Sequence, residues 1–288
     1  MAARADDLRC AGQREDGDAK RPVLPFLKWP GGKRWAAERI AAIVEPHLNG
    51  RYYEPFLGGG AVFFQLRPRK ATLADINSEL IEAYRSVRDC HVEVVQSLQM
   101  LPVNKQVYAA VRQWKPRRSV ERAVRFLYLN RTAFGGIYRV NRSGEFNVPY
   151  GGGTRTHEIL WSSTLLEDAA QALTGTTLRN CDFTLTMRHA SRGDVVYCDP
   201  TYTVAHDQNG FVRYNERNFS WADQGRLAVA ARAARARGAV VIVSNAHHAS
   251  VLGLYEGVRR RVLNRMSCVS ADPAGRREVK ESLLILEP

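Results

Sequence analysis

The sequence predicts an α/β protein with a doubly wound, mainly parallel (Rossmann-like) sheet, helices on both faces and an inserted, mainly helical lobe. A short strand, a glycine turn, an apolar helix start and a second strand ending in an acid follow one another in "RYYEPFLGGGAVFF" and "KATLADIN". That order is the beginning of a βαβ unit. Buried-strand patterns return later in "TTLRNCDF", "GDVVYCDP" and "AVVIVSN". The stretch between these two groups has few such runs.

The same patterns predict the organisation of the chain. Residues 1–22 are polar and charge-dense, so we expect a flexible tail. Residues 23–77 and 159–288 carry the strands of the sheet. Residues 78–158 form the insertion, in which "SVERAVRFLYLNRTAF" has helical apolar spacing and "YRVNRSGEFNVPY" alternates around a Ser-Gly turn, as a hairpin does.

Local sequence signals predict further helices and strands outside the insertion. A helical pattern, "AAERIAAIVEPHL", precedes the first strand. "SWADQGRLAVAARAARARG" is a second helix, which Ser220 caps and Gly238 ends. "RRRVLNRM" and "ESLLILE" are expected to pair as two closing antiparallel strands.

The charge of the chain favours a polyanion as partner, although a solvated basic surface explains it equally well. The 288 residues include 42 Lys and Arg against 29 Asp and Glu, which gives a net charge of +13 and a pI near 9.8. The five cysteines stand singly, which argues against a disulfide framework and a zinc site. We see no signal-peptide pattern and no membrane-spanning run, so we expect a cytoplasmic protein.

The glycine turn "EPFLGGG" predicts a nucleoside site. Glycines let a ligand approach the backbone closely, and Asp75 follows at the spacing, about twenty residues, of an acid that binds a ribose diol. Phe63 stands where the third glycine of a pyrophosphate-binding fingerprint would be, and "PGGK" is not a Walker motif. A nucleoside without pyrophosphate fits better, with S-adenosylmethionine as the first candidate, while a purely structural turn remains the alternative.

The segment Asp199-Pro200-Thr201-Tyr202 follows a buried strand, at the edge of the sheet where ligands bind in this fold class. The Asp199 carboxylate and the Pro200 carbonyl can each accept one N–H of an exocyclic amino group. Such acceptors point the nitrogen lone pair at a methyl donor, and Tyr202 offers a face on which a base stacks. The alternative is a simple turn after the strand.

Other chemistries find less support. No Pro-Cys dipeptide offers the nucleophile of a cytosine C5 methylase. His247 and His248 are adjacent and point different ways, so we predict no metal site. The run 259–261 of three arginines is open between solvated surface and phosphate contact.

Taken together, the motifs resemble the DNA adenine methylase (Dam) family, with the α-type order of amino-methyltransferases. The resemblance extends from Pro25 to the end of the chain. It rests on "FLKWPGGK", "EPFLGGGAVFF", "LADIN", "FLYLNRTAFGGIYRVNRSGEFNVPYG", "VVYCDPTY", "VVIVSN" and "ESLLILEP".

The resemblance implies a site-specific DNA adenine-N6 methyltransferase that uses S-adenosylmethionine without a metal. It implies catalysis by Asp199, Pro200 and Tyr202. It implies cofactor contacts from Trp29, Lys33, Glu54, Phe56, Gly58, Asp75, Asp182, Phe183 and Asp199. It implies DNA contacts from Lys28, Arg131, Phe134, Ile137, Arg139 and Asn141. Residues 78–158 would recognise the target, with Arg139 contacting a guanine, and the adenine would leave the duplex stack.

Two departures from the family pattern keep alternatives open. Thr201 replaces the second proline of Asp-Pro-Pro-Tyr, and Phe134-Gly135 replaces the Tyr-Asn of GATC-methylating members. Cytosine-N4 methylation and a catalytically inactive DNA-binding relative remain alternatives, and the recognition sequence stays open. We expect double-stranded DNA as partner, a cognate restriction enzyme as a further candidate partner, a monomer or weak dimer, and a bacterial or phage origin.

Overall fold

In the computed structural model, which describes residues 22–141, 143–152, 163–203, 219–266 and 278–288, seven strands form one sheet. Their order is β3-β2-β1-β4-β5-β7-β6. The strands are β1 Tyr52–Glu54, β2 Ala71–Asp75, β3 Thr177–Asn180, β4 Val195–Cys198, β5 Val240–Ala246, β6 Arg259–Met266 and β7 Glu278–Leu286. The predicted doubly wound sheet is confirmed. The predicted tail lies outside the described residues, apart from Pro22.

Helices cover both faces of the sheet. They are α1 Ala37–Val44, α2 Ala61–Leu66, α3 Ser78–Gln99, α4 Lys105–Gln113, α5 Ser119–Thr132, α6 Ser163–Leu173, α7 Phe183–Met187, α8 Trp221–Ala236 and α9 Ala249–Gly253. Short 3-10 turns occur at Glu45–His47 and Phe134–Gly136. Among these described helices, none is long and apolar enough to cross a membrane.

The strand directions place the ends of several strands together at one edge of the sheet. Strands β1 to β5 are parallel, so their carboxyl ends meet at a single edge. Strand β7 runs antiparallel between β5 and β6, which confirms the predicted closing pair. Because β7 is reversed, its beginning lies at that same edge, with Glu281 opposite Ala246.

Alternation along the strands builds the core on both faces. Tyr52 packs into the cluster that includes α3 and α5, while its neighbour Tyr53 packs into the cluster that includes α7 and α8. In β4, Tyr197 and Cys198 divide in the same way. Apolar burial on both faces is what a sheet covered by helices on each side requires.

The predicted local signals agree with the structure. Ser220 caps α8 through a capping box with Asp223, and Gly238 follows the helix with φ +92°. The predicted hairpin is confirmed by the antiparallel bridge between Val140 and Phe146. Helix α3, where the predicted insertion begins, packs on both α5 and the β2–β3 side of the sheet.

Candidate active site

Three elements bring buried charges together beside the end of β4. Lys33, which follows the glycines of "WPGGK", places Nζ 2.7 Å from Asp199 Oδ1 and 3.6 Å from Glu281 Oε2. The Lys33 ammonium also lies 5.0 Å from the centroid of the Tyr202 ring. Lys33 is 4% exposed and Glu281 2%. The structure thus unites three residues that the sequence predicted, Lys33, Asp199 and Tyr202, with one that it did not.

Burial and charge set the protonation of this cluster. Burial raises the pKa of Asp199 to about 6, although the adjacent Lys33 ammonium acts to lower it. Burial acts to lower the pKa of Lys33, but the attraction of Asp199 and the other acidic neighbours outweighs it, so the pKa of Lys33 is raised. Near neutral pH the two groups therefore form an ion pair, in which Lys33 is buried and the Asp199 side chain is 18% exposed.

Glu281 is the residue that sequence reasoning missed. The Tyr202 hydroxyl donates to Glu281 Oε2 at 2.9 Å and lies 3.3 Å from Ser244 Oγ. Tyr202 and Glu281 are 79 residues apart, so no local spacing links them. The sequence did contain one indication of its role. Glu281 stands at the start of the apolar strand "ESLLIL", and a carboxylate buried in such a strand needs a partner.

The glycine turn lies between β1 and β2, as predicted. Asp75 accepts hydrogen bonds from the backbone N–H of Gly58 at 3.0 Å and of Asn77 at 2.9 Å. Burial raises the pKa of Asp75, although these backbone donors act against the shift. Gly58 has φ +46°, and a Cβ there would lie 2.8 Å from Trp29 Cδ1. The turn therefore requires glycine, and it places the Trp29 indole against the backbone.

Glu54 is a second buried carboxyl at this edge. It is 2% exposed and accepts a hydrogen bond from the Tyr52 hydroxyl at 2.9 Å. Burial, aided by the nearby charges of Asp199 and Asp75 and opposed by the hydrogen bond from Tyr52, raises the pKa of Glu54 to about 8. Glu54 is consequently mostly neutral at pH 7.

Three aromatic rings line the next part of the edge. Phe56 stacks on Phe183 with ring centroids 5.2 Å apart, and Phe219 meets Phe56 edge-on at 5.4 Å. A flat ring between two others needs about 7 Å, twice the carbon contact distance. The 5.2 Å between Phe56 and Phe183 therefore leaves no room for a third ring between them.

Asp182 lies beside these rings and is already engaged. Its carboxylate pairs with Arg226 at 3.0 Å and accepts from Thr184 N–H, as the N-cap of α7. Burial acts to raise the pKa of Asp182, but the bonds to Thr184 and Arg226 lower it overall. An adenine amino group that approached Asp182 would share the carboxylate with Arg226.

The predicted DNA contacts begin with Lys28, whose backbone is held by Asn130. Lys28 N–H donates to Asn130 Oδ1 at 3.0 Å, and Asn130 Nδ2 donates to the Lys28 carbonyl at 2.7 Å. Asn130 is fully buried. Arg131 donates to the Phe26 carbonyl at 3.2 Å, so its guanidinium turns back onto the N-terminal motif. A depression of about 310 Å³ is bordered by Lys28, Trp29 and Ile137, among others.

The remaining predicted contacts lie on and before the hairpin. Phe134 is 61% exposed, and Arg139 is exposed with its Nε bonded to Asn147 Oδ1 at 2.9 Å. Asn141 Oδ1 accepts from the N–H groups of Ser143 and Glu145, so this amide also holds the hairpin turn together. Phe134, Arg139 and Asn141 are all exposed.

Within the described ranges, no group of three or more His, Cys, Asp or Glu side chains could hold a metal ion. His247 Nδ1 instead bonds Ser282 Oγ at 2.8 Å, and His248 caps α9 through Ser250.

The fold and this edge define a class of protein. A seven-stranded sheet with one reversed strand, and an Asp-Pro-x-Tyr segment after β4 beside a glycine turn, is the architecture of a Rossmann-like methyltransferase. The chain belongs to the D12 class N6 adenine-specific DNA methyltransferase family, whose model matches residues 29–267. It is therefore an adenine-specific DNA methyltransferase, and the predicted family is confirmed.

Similar proteins match over most of this chain. The chain is 32% identical to the type II methyltransferase M1.LlaDCHI of Lactococcus lactis subsp. cremoris, over 91% of this chain and 95% of that protein. It is 32% identical to a DNA adenine methylase of Vibrio cholerae, over 91% of this chain and 96% of that protein. It is 31% identical to the DNA N-6-adenine-methyltransferase of Escherichia phage P1, over 87% of this chain and 34% of that protein.

Proposed function

We propose that the chain transfers a methyl group from S-adenosylmethionine to N6 of an adenine rotated out of a specific duplex sequence. The observation that carries this proposal is the buried cluster of Lys33, Asp199, Tyr202 and Glu281 at the end of β4. A methyltransferase uses S-adenosylmethionine as methyl donor in general, and the residues at this edge fit that molecule.

The chain activates the amino group by accepting a hydrogen bond from each of its two N–H groups. The adenine nitrogen is a weak nucleophile, because its lone pair is delocalised into the ring. The ionised Asp199 carboxylate accepts one N–H and the Pro200 carbonyl accepts the other, which turns the lone pair out of the ring plane. The Tyr202 ring provides the surface on which the base stacks. These groups act by position, without a covalent intermediate.

The cofactor contacts lie along the same edge. The Asp75 carboxylate binds the ribose hydroxyls, and Gly58 lets the ligand approach the backbone. Glu54, Trp29 and Lys33 shape the methionine end. Phe56, Asp182 and Phe183 contact the adenine. When bound, S-adenosylmethionine supplies an electrophilic methyl group on a sulfonium.

Residues 78–158 are proposed to recognise DNA. The exposed Phe134, before the hairpin, would contact bases, with Ile137 and Asn141 as further DNA contacts. Arg139 reads a guanine edge through paired hydrogen bonds. Lys28 and Arg131 act beside the target, where the N-terminal motif meets α5. The high positive charge serves phosphate contacts over the whole surface.

The biological setting is a further part of the proposal. The resemblance to a type II methyltransferase supports a cognate restriction enzyme as partner, whereas the DNA adenine methylases support a stand-alone role. We propose action on DNA in the cytoplasm, as a monomer or weak dimer.

The decisive experiment is product identification. Plasmid DNA from a methylation-free host that expresses the protein is digested to nucleosides and analysed by mass spectrometry. N6-methyladenine is the expected product. N4-methylcytosine would replace the proposal with its closest chemical alternative. Binding of DNA and cofactor without any methylated product would favour an inactive relative. Long-read sequencing of the same DNA identifies the recognition sequence.

A further inference from the structure

Position 201 is threonine where the family pattern has proline. The segment that must hold two acceptors in place therefore lacks one conformationally restricted residue. A proline at position 201 would restrict the backbone of Pro200 and so fix the direction of its carbonyl. Threonine leaves more backbone freedom to lose when the segment is fixed. The structure shows where compensating restraint comes from.

The first restraint acts on Tyr202. Its hydroxyl donates to Glu281 Oε2 on β7 at 2.9 Å, and Ser244 Oγ on β5 lies 3.3 Å from the same oxygen. Glu281 and Ser244 are both buried, on two hydrogen-bonded strands. The end of the Tyr202 side chain is therefore fixed to the sheet.

The second restraint acts on Thr203. Gln224 Nε2 on α8 donates to Thr203 Oγ1 at 3.3 Å, and Asn245 Nδ2 on β5 donates to Gln224 Oε1 at 2.9 Å. Gln224 and Asn245 are fully buried. A buried amide left without its partner is costly, so this chain of contacts is held in one geometry.

We propose that Glu281 and Gln224 are positioning residues, which anchor Tyr202 and Thr203 and thereby supply the restraint that a proline at 201 would provide. Two consecutive residues are fixed to different elements, one to β7 and one to α8. Their backbone cannot rotate without breaking one of the two contacts. The Pro200 carbonyl, two residues before Tyr202, is aimed by this restraint. The inference rests on the proposed function, in which that carbonyl accepts an amino proton.

A simpler role for Glu281 is to balance the charge of Lys33, which lies 3.6 Å away. Substitutions of the anchored residues distinguish the positioning role from the charge-balancing role. Tyr202→Phe removes the hydroxyl anchor without changing any formal charge and keeps the ring. Thr203→Val removes the acceptor for Gln224 and keeps the shape of the side chain.

The test is a double-mutant cycle in single-turnover methyl transfer at saturating cofactor. Tyr202→Phe and Thr203→Val are each made alone and together with Thr201→Pro. Tyr255→Phe is the matched control, because within the described structure its buried hydroxyl has no hydrogen-bond partner. We expect each anchor variant alone to slow transfer about tenfold, and less than about threefold when Thr201→Pro is present. The cofactor Kd and the Tyr255→Phe rate should change less than about twofold.

Equal losses with and without Thr201→Pro would overturn the inference, as would the absence of any loss. Thermal unfolding identifies a variant that fails to fold, and the other anchor variant then decides. Hydrogen exchange at the amides of Tyr202 and Thr203, which every variant retains, gives a readout independent of activity. Exchange should quicken in the anchor variants and slow again with Thr201→Pro, even if the wild type methylates another base. Unchanged exchange in both anchor variants would also overturn the inference.

Discussion

Asp199 gives the most specific prediction about pH. The carboxylate must be ionised to accept a proton from the amino group, and burial places its pKa at about 6 in the free protein. At one pH unit below that value, roughly a tenth of the molecules carry the charge, which corresponds to about 1.4 kcal/mol in barrier. The rate constant kcat/KM for the cofactor should fall about tenfold between pH 7 and pH 5, because this constant reports the free enzyme.

Substitution of Glu281 tests the same pKa of Asp199 in a second way. Its negative charge raises the pKa of Asp199, so Glu281→Gln should move the acid limb of the profile to lower pH. Glu54 titrates near pH 8, and Glu54→Gln removes that separate transition while leaving the limb near 6 in place. The assay is initial-rate transfer of labelled methyl to duplex DNA at fixed ionic strength. A flat profile from pH 5 to pH 7, or an acid limb unmoved by Glu281→Gln, would refute the reasoning.

Three further results are expected. Gly58→Ala should lower the free energy of unfolding by at least about 1–2 kcal/mol in a denaturant titration and weaken cofactor binding, because φ is +46° and the new Cβ meets Trp29; unchanged stability would contradict the strained turn. Arg139→Ala should relax base preference at one position by about 1–3 kcal/mol when variant sites are compared. Equal weakening for all sequences would make Arg139 a phosphate contact. Duplex affinity should fall steeply with salt in a fluorescence titration, and a flat log–log plot would mean that the basic surface does not contact DNA.

Sequence patterns predicted the sheet and its edge because those features depend on local alternation and on turn chemistry. The strands around "VVYCDP" and "VVIVSN", the Ser220 cap and the closing β6–β7 pair all follow from short-range signals. The assignment of Lys33, Asp199 and Tyr202 to one site followed from a resemblance that extends from Pro25 to the end of the chain. Sequence spacing does not show that Lys33 lies beside Asp199, because the two residues come together only in the folded sheet.

Long-range side-chain partners were beyond the reach of the sequence. Asn130 holds Lys28 across 102 residues, and Glu281 holds Tyr202 across 79. Nothing local shows that Asp182 pairs with Arg226, which is 44 residues away. Each of these polar groups takes the partner that the packed fold presents, since an unpaired buried group is costly.

The central claim is that Asp199 accepts a proton of the adenine amino group while the chain acts as an adenine methylase. Single-turnover transfer to an oligonucleotide carrying the mapped site tests it most directly, with wild type, Asp199→Ala and Asp168→Ala, a change at an exposed carboxylate on α6. We predict N6-methyladenine from wild type and Asp168→Ala at similar rates. Asp199→Ala should bind the same DNA yet transfer at least about a thousandfold more slowly. Transfer by Asp199→Ala within tenfold of wild type would contradict the account.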